Sequence, residues 1–432
     1  MTIFALSTVE GQSGVAIIRV SGPLAAESIK LLTGKTLSPR VATLCKIQTV
    51  SGEIIDESIV LFFKNNESFT GEAVAEFHLH GSIAIINAVL RELEKIEGLR
   101  HAKPGEFTKQ AYLNGKINLK QVEGLASLIQ AETEEQRKQA INTYINGNSE
   151  KFLLWLHSMK SALAYVEASI DFADEEIPKD LTRKTKKLII KTKNEIKDYA
   201  NTFQKHNRIK DGIRVVILGI PNSGKSTLIN YLSKKEIAIV SKKAGTTRDI
   251  LHQKLDIKGI PVTIYDTAGL RKSKNDIETE GNVRALNISK TADIKIFIGS
   301  NNLKKPFGKI KVEKNKKNLV IINKSDLKKK HSEKPNLTIS LKDNKSLDLL
   351  WKKLENKILN NVNTSVGPHV TSEREYSHVV NCLKRLDDIN YFDISLASED
   401  IKAAINEIEA ITMKTTNDDI LDIIFNEFCI GK

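Results

Sequence analysis

Cysteine is scarce in this chain: Cys45, Cys382 and Cys429 are the only three in 432 residues. So few, and so scattered, they build neither a disulfide framework nor a zinc knuckle. Long apolar runs are missing as well. No stretch of about 18 apolar residues occurs that would cross a bilayer, and MTIFALSTVEG has no signal-peptide architecture; a cytoplasmic protein with no membrane partner is expected. His78 and His80 would share one face of a strand, but their neighbourhood supplies no further metal ligands, so ordinary packing is the reading. Acidic residues are in deficit, with 66 Lys and Arg against 53 Asp and Glu leaving +13. That balance suits either a polyanionic partner such as RNA or a solvated lysine-rich surface. The basic runs 183–187 (RKTKK) and 328–330 (KKK) carry no interleaved aromatics, so neither reads as a base-stacking platform.

What is present is sharper. The run GIPNSGKST, Gly219 to Thr227, follows the apolar stretch Ile213–Leu218 and opens into Leu228-Ile229-Asn230. A strand, a glycine-rich turn and a helix start in that order make a phosphate cradle, because backbone N–H groups converge on phosphate oxygens with no Cβ in the way. Lys225 can place its charge on the β- and γ-phosphates, and the Ser226 hydroxyl is a hard-oxygen ligand for magnesium. Asp266-Thr267-Ala268-Gly269 stands at the end of a second strand-like run, Val262–Tyr265, where open α/β sheets bind ligands. Asn323-Lys324-Ser325-Asp326 follows a third, Leu319–Ile322. The Asp326 carboxylate can accept two hydrogen bonds from guanine N1–H and its 2-amino group, donors that adenine lacks, so GTP is the expected nucleotide.

Between the first two motifs lies Gly245-Thr246-Thr247-Arg248-Asp249. Thr247 could complete the magnesium shell only while a γ-phosphate is present, the logic of a switch. Ras-type enzymes carry a water-orienting Gln after the Asp-x-x-Gly turn; Leu270 stands there and can do no such work. Glu278 is either the substitute, acting through an intervening water, or a solvated loop carboxylate. Asn222 offers a neutral oxygen to a monovalent cation in the place an arginine finger takes elsewhere.

Periodicity divides the chain into residues 1–117, α+β in character, a helical stretch 118–207, the nucleotide motifs in 208–369, and returning helical periodicity in 370–432. Ile83, Ile86, Leu90 and Leu93 mark a helix in the first part, and Phe152, Leu156, Met159, Leu163, Val166 and Ile170 mark a helical seam in the second. The last part repeats the pattern at Ile401, Ile405, Ile408 and Ile411, then at Leu421, Ile424 and Phe428. The simplest architecture is an α/β P-loop GTPase domain inserted in an α-helical bundle and preceded by an α+β domain. Arg19, Glu76 and Lys116 are charged residues inside strand-like segments, on solvated faces or lining a pocket for a charged ligand. The chain ends in Cys429-Ile430-Gly431-Lys432, on these grounds a helix end with Gly as its terminator.

GVAIIRVSG, SFTGE, KPGEFTKQAYLNGKINL, GIPNSGKS, AGTTRD, DTAGLR, NKSD and the terminal CIGK together resemble the MnmE or TrmE family of tRNA modification GTPases over nearly the whole chain. The resemblance implies an N-terminal domain that forms a homodimer and binds 5-formyl- or 5,10-methylene-tetrahydrofolate through Arg19, Glu76, Lys116 and Lys432. It implies potassium at Asn222, Ser241, Lys243 and Thr246, magnesium at Ser226 and Thr247, and Glu278 as the catalytic residue. The implied nucleotide contacts are Asn222, Ser223, Gly224, Lys225, Ser226 and Thr227; Ser241, Lys242, Lys243, Ala244, Gly245, Thr246 and Thr247; Asp266, Thr267, Ala268 and Gly269; Asn323, Lys324, Ser325 and Asp326; and Ser340, Leu341 and Lys342. Leu341 departs from the family's usual Ala. Such proteins hydrolyse GTP to GDP and work in a heterotetramer with MnmG (GidA), which carries the FAD, to place an aminomethyl or carboxymethylaminomethyl group on C5 of the tRNA wobble uridine. Cys429 matches a terminal cysteine whose reactivity the resemblance leaves open. A ribosome-assembly GTPase is the alternative, but it has no use for CIGK. Residues 301–317 are very rich in lysine, and nothing in the motifs accounts for them.

Overall fold

A computed structural model describes residues 1–147, 150–171, 180–235, 252–266, 290–329, 331–362, 370, 372–412, 424–426, 428 and 430–431. Its strands are β1 (Thr2–Leu6), β2 (Ser13–Ser21), β3 (Thr43–Gln48), β4 (Ile54–Phe63), β5 (Val74–Gly81), β6 (Leu99–His101), β7 (Ile213–Gly219), β8 (His252–Ile257), β9 (Ile260–Asp266), β10 (Ile294–Ser300), β11 (Leu319–Asn323) and β12 (Leu337–Thr338). Its helices are α1 (Ala25–Thr33), α2 (Ile83–Glu94), α3 (Glu106–Leu113), α4 (Leu119–Gln130), α5 (Glu134–Ile145), α6 (Glu150–Asp171), α7 (Asp180–Asp211), α8 (Lys225–Lys235), α9 (Asn344–Asn361), α10 (Glu373–Asp388) and α11 (Ile394–Thr412). The chain divides into one compact unit of residues 1–126, 143–189 and 384–432, and a second of residues 127–142 and 190–383.

The first unit opens with a sheet in the order β3-β4-β5-β2-β1-β6, antiparallel throughout except for the parallel β1–β6 pair. Period-two alternation sends Phe4, Ile18, Val20, Phe77 and Leu79 into the core on one face. The same alternation aims Arg19, Glu76 and His78 to the opposite face, which carries Ile3, Ala5 and Phe107. In α2 the buried stripe runs through Ile86, Val89 and Leu93, while Ile83, the first helical residue, is half exposed. Along α6 the expected seam holds at Phe152, Leu156, Met159 and Val166, is joined by Trp155 and Ala162, and stops short of Ile170, which is exposed in the final turn. The rings of Phe152 and Trp155 meet edge to face at 5.4 Å.

Helices α6 and α11 pack together, with Lys160 paired to Glu409 at 2.7 Å and Lys402 to Glu167 at 2.8 Å. The bundle thus takes helices from both sides of the nucleotide motifs. Residues 424–426 are helical, and Phe425 and Phe428 pack against Tyr112, Leu119 and Val122.

The second unit is built on a sheet ordered β12-β11-β10-β7-β9-β8, parallel apart from the antiparallel β8–β9 pair. Near-continuous apolar strands bury both sheet faces as a parallel sheet requires, Val215, Ile217, Ile296, Ile298, Leu319 and Ile321 on one and Phe297, Val320 and Ile322 on the other. The fold is therefore an α/β P-loop domain inserted in the sequence of a helical bundle, with an α+β domain preceding both in the chain.

A candidate nucleotide site and a charged pair at the sheet face

The register sets Ile298 beside Gly219, Ser300 beside Asn323 and Ile217 beside Asp266, so β7, β9, β10 and β11 bring their carboxyl ends to one edge of the sheet. At that edge the chain turns sharply. The Ser223 N–H and hydroxyl both donate to the Ile220 carbonyl, at 3.3 and 2.8 Å, and Asn222 takes φ +61. Gly224 has φ +103, and a Cβ there would lie 2.5 Å from Asn323 Nδ2 and 2.8 Å from Leu341 Cδ1. Only glycine lets the phosphate loop approach both loops that follow β11 and β12.

Lys225 is buried, with its ammonium curled back to donate to the carbonyls of Gly219 at 2.9 Å and Ile220 at 2.8 Å. A buried ammonium without such partners would be costly. Ser226 and Thr227 are exposed in the first turn of α8, whose leading N–H groups have no intrahelical acceptor and favour an anion. Asn323 is buried and ties the loops together: its Nδ2 donates to the Ser223 carbonyl at 2.8 Å, and its Oδ1 accepts from Lys324 N–H at 2.7 Å and Leu341 N–H at 3.1 Å. Lys324 takes φ +66, and the Ser325 N–H donates to the Ile339 carbonyl at 3.0 Å. Asp326 is exposed; the Ser340 hydroxyl donates to its Oδ1 at 3.0 Å, and the Lys342 N–H reaches Ser340 Oγ at 3.4 Å. Asp343 caps α9 by accepting from Lys345 and Ser346, and its hydrogen bond from the Ser346 hydroxyl holds the carboxyl below the usual range.

Ser241, Lys242, Lys243, Ala244, Gly245, Thr246, Thr247, Thr267, Ala268, Gly269 and Glu278 lie outside the described residues, as do Cys429 and Lys432. Asp266 closes β9. The family resemblance implied Asn323 as a nucleotide contact, and its place as a brace between three loops is a role no motif spelled out.

On the other sheet, Arg19 and Glu76 are direct cross-strand partners, joined through Nε at 2.9 Å and a second guanidinium nitrogen at 2.8 Å. The guanidinium stands 5.8 Å from the centre of the Phe107 ring. His78 Nε2 lies 3.4 Å from the other Glu76 oxygen without forming a hydrogen bond. Lys116 is not part of this cluster; its ammonium donates to the Asn66 carbonyl at 2.6 Å. Gly431 does join it. Its carbonyl accepts from the Ser7 hydroxyl at 3.0 Å and from Arg19 at 3.4 Å. Gly431 takes φ +94, and a Cβ would collide with the Leu6 carbonyl and stand 2.8 Å from Ser7 Cα. The glycine expected as a helix terminator is a close-approach residue on the end of β1. Only the terminal motif hinted at Gly431, and nothing pointed to Ser7.

Profile comparison finds the "MnmE helical domain" across residues 119–429 and the "GTP-binding protein TrmE N-terminus" across residues 2–116. The chain is 43% identical over 443 residues to a protein of Pelagibacter ubique named tRNA modification GTPase MnmE, covering 100% of both. It is 40% identical over 443 residues to the protein of that name from Parvibaculum lavamentivorans and 41% over 447 residues to that of Rickettsia bellii, again over 100% of both chains. Among solved structures, Aquifex aeolicus Era bound to GDP.AlF4- aligns at 23% identity and a TM-score of 0.23, covering 40% of this chain and 66% of that one.

Proposed function

Because the chain belongs to the MnmE family of tRNA modification GTPases, we propose that its GTP hydrolysis is stimulated by potassium and drives folate-dependent addition of an aminomethyl or carboxymethylaminomethyl group to C5 of the tRNA wobble uridine. The working assembly is a homodimer joined to MnmG as a heterotetramer, in the cytoplasm. Residues 1–117 serve folate binding and dimerisation, 208–369 form the GTPase, and 118–207 with 370–432 form the helical part.

The brace at Asn323 is the observation that supports the nucleotide reading best. By holding Ser223 and Leu341 at once, it fixes the distance between the cradle for phosphates and the carboxylate that reads the base. Lys225 keeps its ammonium poised on two carbonyls that phosphate oxygens can replace. Asp326, with one oxygen engaged by Ser340, selects guanine. The exposed Ser226 hydroxyl and the Asn222 side chain, on a residue with φ +61, are hard-oxygen donors of the kind that magnesium and potassium take. Magnesium, with Ser226 and Thr247, and potassium, with Asn222, Ser241, Lys243 and Thr246, would supply positive charge to the phosphates as hydrolysis proceeds. Glu278 orients the attacking water. The Arg19–Glu76 pair, partly buried and with the face of Phe107 nearby, suits an amphipathic, anionic pterin such as a tetrahydrofolate, with Lys432 and the Gly431 segment completing the wall; Lys116, whose ammonium is held at the Asn66 carbonyl, reaches the ligand only by leaving that partner.

Nucleoside analysis of tRNA from cells lacking this protein is the decisive test. Loss of the C5 substituent at the wobble uridine is expected; its full retention would overturn the reading and favour a ribosome-assembly GTPase. Turnover should also be at least several-fold faster in potassium than in sodium at equal ionic strength, and equal rates would remove the cation from the mechanism.

A further inference from the structure

A parallel sheet needs a crossover between neighbouring strands, and that crossover is usually helical. Between β10 and β11 it is not: none of residues 301–318 is helical. Pro306 and the left-handed Gly308, at φ +59, break the helix before it starts. Instead the segment lies on the sheet as a strap. Phe307, Ile310 and Val312 pack against Phe297, Val320 and Ile322. Its lower end is pinned where Lys357 donates to the Lys316 carbonyl at 2.6 Å and Asn318 donates to the Glu313 carbonyl at 2.9 Å.

The strap's outward side is almost wholly cationic. Residues 301–318 hold seven lysines against one glutamate, a net +6 out of the chain's +13. Around Ile310 and Val312 half-buried apolar side chains alternate with exposed charged ones, leaving Lys309 and Lys311 exposed beside Lys304, Lys305, Lys316 and Lys317. None of these six has an ion-pair partner among the described residues. The acidic residues nearby are already matched, Glu313 by Lys295 at 2.9 Å and Glu333 by Lys314 at 3.4 Å. Like charges gathered on one short segment repel one another, so an unneutralised row is a cost to the fold that a polyanion would relieve.

We propose that the 301–318 strap is a docking surface for the phosphate backbone of the tRNA. This rests on the tRNA reading above and adds to it that RNA touches this chain, through the nucleotide unit itself. The strap's aromatic ring, Phe307, is buried, so the surface has no stacking group to read bases and holds the RNA without regard to sequence.

The test is fluorescence anisotropy of labelled tRNA with the full-length protein across a salt series, comparing wild type with the combined variant Lys309→Gln, Lys311→Gln, Lys316→Gln, Lys317→Gln and the matching Lys→Arg variant. The glutamine variant should bind at least tenfold more weakly, and the slope of log affinity against log salt should shrink by about 3, as expected for four lost phosphate contacts. The arginine variant should bind like wild type, and all three should hydrolyse GTP at the same basal rate. Equal affinity and slope for wild type and the glutamine variant would overturn the proposal, leaving the strap a solvated surface. So would unchanged RNA binding with lost MnmG association, which would make it a protein dock. If wild type binds no tRNA even at low salt, the strap proposal fails, while the function proposed above still stands or falls on the nucleoside analysis.

Discussion

Asp326 is exposed, has one oxygen engaged by Ser340 and sits beside a buried asparagine that cannot move without dragging three loops. Its specificity is therefore a matter of charge and donor pattern rather than of fold. Asp326→Asn replaces an acceptor pair with one acceptor and one donor, which suits the N1–H and C2 carbonyl of xanthine. GTP affinity should fall about 10- to 150-fold, the worth of hydrogen bonds to a charged group, with xanthosine triphosphate gaining; competition binding with the two nucleotides checks it, and unchanged GTP selectivity would contradict the base-reading role. A second residue-scale prediction concerns acid. Burial pushes the Glu106 carboxyl up, but hydrogen bonds from Arg100 and from the Lys103 N–H at 2.8 Å outweigh it and hold the group below its ordinary value. A carboxylate lowered in the folded state contributes stability that is present above the unfolded value of about 4.3 and is lost as pH falls through the lower folded value. Glu106→Gln should therefore lower the melting temperature at neutral pH, with the gap to wild type closing below that range.

Among the elements, the C-terminal segment places the strictest demand on geometry. Gly431 rests on Leu6 and Ser7 with no room for a Cβ, and its carbonyl faces Ser7 and Arg19. Gly431→Ala should lift the segment from β1, speeding carboxypeptidase trimming and weakening 5-formyltetrahydrofolate binding in calorimetry by several-fold, while GTP turnover stays at the wild-type rate. Wild-type trimming kinetics would show that the contact holds nothing in place. This element also marks the limit of what could be read from sequence. Motif strands β7, β9 and β11 and the seam of α6 were legible because their periodicity or the motif that follows them is local. β10 carries no motif, although it stands at the centre of the sheet between β7 and β11. The docking of Gly431 on Leu6 and the cross-strand meeting of Arg19 with Glu76 depend on contacts far apart in sequence, which no window of the chain contains. Lys116 shows the converse: charge in a strand-like segment drew it toward Arg19 and Glu76, but it follows α3 in a loop and bonds to Asn66.

For the whole molecule, an inserted nucleotide sheet has value as a switch only if the chain's two crossings into it are held against each other. Gly212 follows α7 where the chain enters, and α9 ends at Asn361 where it leaves. Arg208 joins them. Its Nε donates to Asp293 at 3.1 Å and another guanidinium nitrogen to the Asn361 carbonyl at 3.0 Å, while the second Asp293 oxygen accepts from the Arg214 N–H at 3.0 Å. Asp293 immediately precedes β10, so the clamp also reaches the strand between the phosphate loop and Asn323. Around it Phe203, Asn207, Asp211 and Glu373 line a cavity of about 320 Å³, so water can reach part of the pair and its worth is that of a half-buried ion pair. Arg208→Gln keeps some of the hydrogen bonds but removes the charge, leaving Asp293 without its counter-ion at a cost of about 1–3 kcal/mol. For a unit of this size that lowers the melting temperature by roughly 2–12 °C. If the clamp is what makes the inserted sheet and its flanking helices respond as one body, the variant should bind GTP with wild-type affinity yet lose part of the stabilisation that saturating nucleotide confers on the helical transition. Scanning calorimetry with and without nucleotide separates the cases: a lower melting temperature with an undiminished nucleotide shift would make Arg208 a stabilising contact and nothing more.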